Sequence, residues 1–423
     1  MRQKTIRIVV ALGVAAALLS VACGVSAGAD QAWPEFHGPK RDNLSPAKGL
    51  LKTWPRGGPK LVWMFDQCGG GFATVSIAEG MIFTSGDFGR DQMVLALDMD
   101  GKLLWKTRNG RSWTGPHPGA RTNPTFHKGA LYHMNPHGRL AALQAKTGKE
   151  LWAVDLKQAF GAKPSRWAMA ENVLVDGQAL LCVPGGPRGR IVALDKTTGK
   201  TIWANTQITE PAEYCSPIIA THNGVRQLIV TMQKSLFSVE VATGKLLWTH
   251  PHETKHDQNV TSPMYVNGHV FASSGHGTGG RLLKLAPNSR SVERIWLNKD
   301  LDNCHGGVLL LDGRLYGSGC RLYRKGFVCV DLAGGKTLWN ERRLGKVSMT
   351  WADGMIYCMD DRGRISLVRP KAGQGAAIVS QFSVRPPRGK LTLAHPVVLG
   401  GRLYIRNWNE LRAYDIRAGA TQQ

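Results

Sequence analysis

IVALDKTTGKTIW, residues Ile191 to Trp203, is the stretch that decides the fold, and it contains a strand, a tight turn and the start of a second strand. The first strand, Ile191 to Asp195, is rich in apolar and β-branched residues on both faces, which is typical of a sheet that is covered on both sides. Gly199 lies in the turn, where glycine can take the positive φ that a short hairpin needs. The stretch therefore predicts a hairpin in a small sheet packed between two others.

The same pattern recurs along the chain at nearly constant spacing. Copies end at Trp105, Trp152, Trp203, Trp248 and Trp339, and a degenerate copy ends at Trp296. Consecutive tryptophans in this series are 43 to 51 residues apart, and about 40–50 residues is the length of one four-stranded propeller blade with its loops. Because a buried tryptophan removes roughly 150–250 Å² from water, we expect each indole to hold one blade against the next.

The two ends of the repeat region complement each other. Lys60–Phe65 resembles a return strand without a partner before it, and Leu411–Gly419 resembles an outgoing strand without a return strand. We therefore predict an all-β fold, an eight-bladed β-propeller over residues 61–417, in which the N-terminal strand pairs in the last blade and closes the ring. Residues 418–423 are left as a tail. The seventh blade is degenerate, since no tryptophan follows its turn, Lys371–Gly375.

The segment before the propeller is predicted to have two parts. Residues 1–29 are typical of a signal peptide, with basic residues before an apolar core that is short for a membrane span. A lipid anchor at Cys23 is an alternative, although Ser20 stands where lipoprotein signals prefer leucine. Residues 30–60 are predicted to be an irregular arm that lies over the propeller surface. We expect an exported protein of the periplasm or cell envelope, with no transmembrane span after signal removal.

The chain is strongly basic, with a formal charge of +24. Removing residues 1–29, which carry three basic and no acidic residues, leaves 24 − 3 = +21. Such a charge attracts polyanions. For an exported protein this indicates an anionic polysaccharide or an envelope protein rather than nucleic acid. A basic surface that only keeps the protein soluble is the alternative.

Two of these sequence motifs resemble those of a known family. The phrase A-x-D-x-x-T-G-K-x-x-W, clearest at Ala193–Trp203, resembles the tryptophan-docking motif of eight-bladed pyrroloquinoline-quinone (PQQ) propellers. The arm sequence WPEFHGPKRDN, Trp33–Asn43, resembles the N-terminal segment of exported PQQ-like propeller proteins. This family includes quinoprotein alcohol dehydrogenases and the lipoprotein scaffold of the outer-membrane β-barrel assembly machine. The motif specifies fold more than function, because it builds blade contacts and not a site.

The chemistry that the quinoprotein members imply is weakly represented. They typically have two adjacent cysteines beside the quinone, an acidic base and Ca²⁺ ligands near the axis. In this sequence no two cysteines are neighbours and no acidic cluster stands out. The sequence therefore favours a non-catalytic binding or scaffold protein without a cofactor. A PQQ-dependent oxidoreductase that uses PQQ with Ca²⁺, and an envelope enzyme acting on acidic glycans, stay open as alternatives. The oligomeric state is not predicted.

The loops that lead into the first strand of each blade are expected to line one mouth of the central channel, where a ligand site would lie. Arginine there would pair with carboxylate or sulfate groups, and an indole would stack on a sugar ring. Alternatively, the polar side chains only satisfy loop backbone and fill the channel. The ligand-binding candidates are Arg121, Arg166, Trp167, Glu171, Asn259, His305 and His395.

Two further groups of residues have open interpretations. His250, His252 and His256 are close enough in sequence to surround a metal, but the spacing is not helical and Lys255 intervenes, which favours a solvated loop without a metal. Cys304 and Cys320 flank one hairpin. They are either a disulfide or buried free thiols.

Overall fold

The computed structural model describes residues 32–256, 258–320, 326–371 and 375–419. Eight sheets account for its strands, and the only helix in these ranges is Leu156–Phe160. The predicted all-β, eight-bladed propeller is confirmed. Across the described ranges, no helix has the length and apolar character needed to cross a membrane. The predicted signal peptide, Cys23 and the last residues of the tail lie outside the described residues.

Each blade contains four strands, which follow one another from the channel outwards, and the sheet of blade 7 gains a fifth strand, Leu44–Ser45, from the arm. Blade 1 consists of Ser76–Ala78, Met81–Phe88, Asp91–Asp98 and Leu103–Arg111. Blade 2 consists of Thr125–His127, Ala130–Met134, Arg139–Gln144 and Glu150–Asp155. Blade 3 consists of Leu174–Asp176, Ala179–Cys182, Ile191–Asp195 and Thr201–Asn205. Blade 4 consists of Ile218–His222, Val225–Thr231, Ser235–Glu240 and Leu246–Pro251.

The second half of the ring repeats this plan. Blade 5 consists of Met264–Val266, His269–Ser274, Gly279–Leu285 and Val292–Asn298. Blade 6 consists of Val308–Leu311, Arg314–Ser318, Phe327–Asp331 and Thr337–Glu341. Blade 7 consists of Val347–Ala352, Met355–Asp360, Arg364–Lys371 and Gly375–Ser383. Blade 8 consists of Val397–Leu399, Arg402–Asn407, Glu410–Asp415 and the N-terminal strand Lys60–Phe65.

The N-terminal strand closes the ring as predicted. Lys60–Phe65 pairs antiparallel with Glu410–Asp415, and its register shifts between Leu61 and Trp63. The fourth strand of blade 3 has the same irregularity before Trp203. The N-terminal strand therefore takes both the place and the bulge of an ordinary fourth strand, and it covers the edge of Glu410–Asp415 that would otherwise be unpaired.

Five of the repeated tryptophans join neighbouring blades by a hydrogen bond, whereas the Trp248 Nε1 donates to Gln227 within its own blade. The Trp203 Nε1 donates a hydrogen bond to the carbonyl oxygen of Val241 in blade 4, over 3.0 Å. Trp63, Trp105, Trp152 and Trp296 make the equivalent bond to the blade that follows each of them. Gly244 lies under the Trp203 ring with φ +71°, and a Cβ there would come within 2.3 Å of the indole. The glycine of the repeat is therefore required both by the turn and by the docked ring.

The arm supplies the aromatic residue that blade 7 lacks. Ser380 pairs with Leu367 just before a bulge, which is the place that tryptophan takes in other blades. The Ser380 hydroxyl accepts a hydrogen bond from the backbone N–H of Trp54. The Trp54 ring lies 6.0 Å from the Tyr357 ring at 46°, close to the 5.9 Å and 47° between Trp296 and Phe271 in blade 5. Trp54 thus docks blade 7 from outside the repeat.

The arm also enters the channel, which corrects the expectation that it lies over the surface. Trp33 pairs with Ile77 at the inner edge of blade 1, and Leu44–Ser45 pairs in parallel with the first strand of blade 7. Between them, Arg41 donates hydrogen bonds to backbone carbonyls of blades 3 and 4, at Val173 over 2.6 Å and at Pro217 over 2.8 Å. A segment with contacts on opposite sides of the ring must cross its axis.

Candidate binding cavity at the channel mouth

A cavity of about 260 Å³ lies on the axis between the arm and the segments that precede the first strands, which we call the mouth loops. The mouth loops of all eight blades contribute to its wall, and Phe36 of the arm contributes to its floor. The arm therefore supplies part of the cavity surface in addition to the eight blades. The lining side chains are Phe36, Phe72, Thr74, His117, Arg121, Trp167, Ala170, Asn172, Tyr214, Ser216, Val260, His305, Lys346, Leu391, Leu393, Ala394 and His395.

Aromatic rings form a large part of the wall. Trp167 and Tyr214 have ring centroids 5.8 Å apart, and the Tyr214 hydroxyl accepts a hydrogen bond from the backbone N–H of Trp167 over 3.3 Å. Phe72 lies on another side of the cavity under the Arg121 guanidinium, 5.8 Å from the ring centroid. Rings fixed in this way offer flat apolar surfaces at a low entropic cost.

Two cations face this apolar space. Arg121 donates to the backbone carbonyl of Gly119 over 2.6 Å and to that of His117. Burial lowers the pKa of Arg121 to about 10, and the carboxylate of Asp87 opposes that shift. Burial also lowers the pKa of Lys346, with Asp361 acting in the opposite direction. Both groups lose hydration in the cavity, so an anion that replaces the lost water would be bound more strongly than at the open surface.

Histidines connect the floor to the wall. The His37 Nε2 of the arm lies 3.4 Å from the His395 Nε2, and the His395 Nδ1 contacts the Asn43 side chain. Burial lowers the pKa values of His37 and His305 well below the usual range, and it lowers that of His395. These imidazoles are therefore neutral at pH 7, and they add hydrogen-bonding groups rather than charge to the site.

The structure brings four of the seven predicted site residues into the cavity wall: Arg121, Trp167, His305 and His395. Arg166 is exposed, and its guanidinium lies 5.2 Å from the centroid of a Trp167 ring. Glu171 and Asn259 lie outside the lining. The Glu171 Oε2 accepts a hydrogen bond from the backbone N–H of Val183, and burial raises the pKa of Glu171 to about 8.

Asn259 is a structural residue of blade 4. Its fully buried side-chain amide donates to the carbonyl oxygens of Met232, Gln233 and His252. Its position in a mouth loop was correct, but its side chain points into the fold. Lys346, Tyr214, His117 and Phe36 line the cavity and were not among the sequence candidates. Lys346 had a usable signal, because it directly precedes the first strand of blade 7.

The three histidines of the His250–His256 segment do not converge. The buried His252 Nε2 contacts the Ser274 hydroxyl over 2.9 Å, and the His250 Nδ1 contacts the carbonyl oxygen of Pro251. His256 packs instead against His276, with ring centroids 4.7 Å apart. Cys304 and Cys320 form a disulfide, and the remaining cysteines among the described residues are buried free thiols.

A centre of PQQ and Ca²⁺ would need flat walls, cations and acidic ligands in this lining. The aromatic walls and the two cations would suit a carboxylated ring. However, no Asp or Glu occurs among the described residues that line the cavity, and Ca²⁺ sites are built chiefly from carboxylate oxygens. The cavity residues therefore do not fit a Ca²⁺-quinone centre, and no carboxylate base from the described lining faces the space where a substrate would lie.

Comparisons with known proteins agree with the fold. The family described as outer membrane protein assembly factor BamB matches residues 90–341. A relative of that name from Nitrosomonas eutropha is 29% identical over 188 residues, which cover 43% of this chain and 39% of the relative. The quinohemoprotein alcohol dehydrogenase ADH-IIG of Pseudomonas putida is 31% identical over 153 residues, which cover 34% of this chain and 21% of the enzyme. The matched regions thus span well under half the length of these two relatives.

A solved structure supports the architecture. The crystal structure of BamB from Moraxella catarrhalis aligns with a TM-score of 0.61 and covers 85% of this chain and 100% of that chain. The sequence identity is 16%. At this identity the likeness shows the fold, and the site has to be argued from its own residues.

Proposed function

Because the chain belongs to the family described as outer membrane protein assembly factor BamB, we propose that it is an exported scaffold protein of the cell envelope that binds a partner protein at the channel mouth. The observation that carries this proposal is the composition of the mouth cavity. Its wall combines aromatic rings with Arg121 and Lys346, and carboxylates are missing from its described lining residues. Such a wall can bind a partner, but its described residues offer neither an acidic base nor the carboxylate ligands that a hard metal ion needs.

The cavity favours a partner segment with an apolar or aromatic side chain next to an acidic group. The apolar part would pack between Trp167 and Phe72, and the acidic group would pair with the Lys346 ammonium. Arg121 already donates hydrogen bonds to the carbonyls of its own loop, so it contributes positive electrostatic potential to the cavity more than new hydrogen bonds. The net charge of the mature chain, 24 − 3 = +21, would speed encounter with an acidic partner.

Quinone-dependent oxidation is the second candidate, since part of the chain is 31% identical to a quinohemoprotein alcohol dehydrogenase. The lack of carboxylates among the described lining residues argues against it. Incubation of the purified chain with PQQ and Ca²⁺, followed by dye reduction with a series of alcohols, separates the two candidates. The scaffold proposal expects no turnover above that of free quinone.

Site-specific photo-cross-linking in a Gram-negative host tests the binding proposal. A photoreactive residue replaces Leu391, which lines the cavity and is 37% exposed. The matched control replaces Ile202, an exposed apolar residue on the outer strand of blade 3. We expect a cross-link from position 391 to a component of the outer-membrane protein assembly machinery, weakened by Lys346→Met, and none from position 202.

Three results would count against this proposal. Equal cross-linking from both positions would place binding elsewhere. An unchanged yield with Lys346→Met would remove the anchoring role of that lysine. Capture of an anionic polysaccharide in place of a protein would replace the proposed class of partner.

A further inference from the structure

A second group of reactive side chains lies beside the mouth cavity, between blades 5 and 6. The Nε2 atom of His276 lies 3.9 Å from the Cys304 Sγ and 3.8 Å from the Cys320 Sγ. These ligand atoms all lie within 4.8 Å of one another. The His256 ring packs edge-on against His276. Two sulfur atoms and an imidazole nitrogen at this spacing are the donor set that soft and borderline metal ions prefer.

The surrounding backbone is shaped to this cluster. Gly275 precedes His276, and a Cβ at Gly275 would lie 2.5 Å from the Cys304 Sγ and 2.8 Å from the Cys320 Cβ and Sγ. The Asp302 carboxylate accepts a hydrogen bond from the backbone N–H of Gly277 over 2.8 Å, which holds the turn that carries His276 against the loop that carries Cys304. The three ligands are therefore positioned by fixed elements of two blades and not by their own side chains alone.

We propose that reduction of the Cys304–Cys320 disulfide opens a binding site for a single thiophilic d¹⁰ ion, Cu⁺ or Zn²⁺, held by both sulfur atoms and the His276 imidazole. A dithiol supplies the two electrons and two protons, so that the protein S–S bond breaks, two thiols form and the dithiol becomes its own disulfide. Metal binding then displaces up to two protons as the thiols become thiolates. The oxidised chain lacks the two thiolates and cannot form the site.

The site is connected to the mouth cavity through one side chain. The Gln258 Oε1 lies 2.5 Å from the His276 Nε2, and its Nε2 lies 3.5 Å from the Nε2 of His305, which lines the cavity. A metal that takes the His276 Nε2 must displace the Gln258 oxygen. Metal binding would therefore also reposition the Gln258 contact with His305.

Metal titration of the full chain tests the proposal. The protein is reduced with dithiothreitol, desalted without oxygen and titrated with Zn²⁺ alone or Cu⁺ alone against a chromophoric chelator. We expect the reduced wild type to take one equivalent of ion from the chelator, whereas the oxidised wild type takes none. His276→Gln should weaken binding at least tenfold, and the ion bound more tightly identifies the class that the site prefers.

Two variants provide the comparison. Cys304→Ser/Cys320→Ser should take no ion, and Cys215→Ser, which removes a buried free thiol elsewhere, should bind as the wild type does. If the double variant does not fold, the oxidised wild type is the site-free control. Equal uptake by the reduced and oxidised wild type would overturn the proposal, as would equal uptake by the reduced wild type and a folded double variant.

Discussion

Replacing Gly244 with alanine tests the tryptophan-docking contact with a control in the same blade. Gly244 has φ +71°, and its Cβ would lie 2.3 Å from the Trp203 ring. Gly224 has φ +82° in another turn of blade 4, and nothing lies within 4 Å of its Cβ position. Both substitutions carry the backbone cost of placing a Cβ in the left-handed region, about 1–2 kcal/mol. Only Gly244→Ala also forces the indole to move.

The additional cost at Gly244 follows from the contact distances. Carbon atoms pack at about 3.5–4.0 Å, so the indole has to retreat by more than an ångström. Overpacking of this kind costs about 1–3 kcal/mol, and loss of the Trp203 hydrogen bond to Val241 adds about 1 kcal/mol. We expect Gly244→Ala to lower the free energy of unfolding by about 2–4 kcal/mol more than Gly224→Ala.

Chemical denaturation followed by far-UV circular dichroism measures this difference. The same two substitutions in a Trp203→Ala background complete a double-mutant cycle. Because no indole ring is left to be displaced there, Gly244→Ala and Gly224→Ala should lower the free energy of unfolding equally. Equal destabilisation by the two alanines in the wild-type background would refute the docking argument. If the difference persisted in the Trp203→Ala background, the extra destabilisation by Gly244→Ala would come from another contact.

Three further changes test the arm and one buried acid. Trp54→Ala should destabilise the protein by about 3–5 kcal/mol, as in a core truncation, and make blade 7 more sensitive to limited proteolysis. If blade 7 of the variant were cleaved no faster than that of the wild type, the docking role of Trp54 would be refuted. Arg41→Met removes buried hydrogen bonds to blades 3 and 4 and leaves the Glu35 carboxylate without its ion-pair partner. We therefore expect a loss of at least about 3 kcal/mol and early tryptic cleavage of the arm. An unchanged digestion pattern would contradict the place of the arm in the channel. The Glu171 pKa, raised from 4.5 to about 8 by burial, means that the folded chain keeps a proton that the unfolded chain loses. The free energy of unfolding should therefore fall as pH rises from about 4.5 to 8, by up to about 1.4 kcal/mol per pH unit. Urea melts at several pH values should show that the free energy of unfolding of Glu171→Gln depends less steeply on pH than that of the wild type.

The ring could be predicted because its determinants are local and repeated. The strand, turn and tryptophan of Ile191–Trp203 lie within one hairpin, and copies at regular spacing reveal the blades without any long-range information. The unpaired character of Lys60–Phe65 was visible in the same way, since a return strand without an outgoing strand needs a partner elsewhere. The disulfide was visible only as one of two interpretations, because spacing does not determine pairing.

The role of the arm could not be predicted from its sequence. Arg41 contacts residues that lie 131 to 176 positions away, and Trp54 packs on Tyr357. Nothing local distinguishes an irregular segment that crosses a channel from one that lies on a surface. The candidate site was predicted in part for a related reason. The mouth loops were correct, but the direction of each side chain depends on the loop conformation, which sent Glu171 and Asn259 into the fold and Lys346 into the cavity.

Hydrogen–deuterium exchange of the intact chain tests the central claim most directly, namely that the N-terminal region is built into the propeller, with Lys60–Phe65 closing the ring and the arm lying beneath the cavity. The account predicts that amides in Lys60–Phe65 that bond to Glu410–Asp415 exchange as slowly as those in Thr201–Asn205, the fourth strand of blade 3. The segment around Arg41 should be protected with them. Exchange of residues 60–65 within seconds, while blade 3 stays protected, would contradict the closure of the ring. Equally fast exchange around Arg41 would contradict the place of the arm beneath the proposed binding cavity.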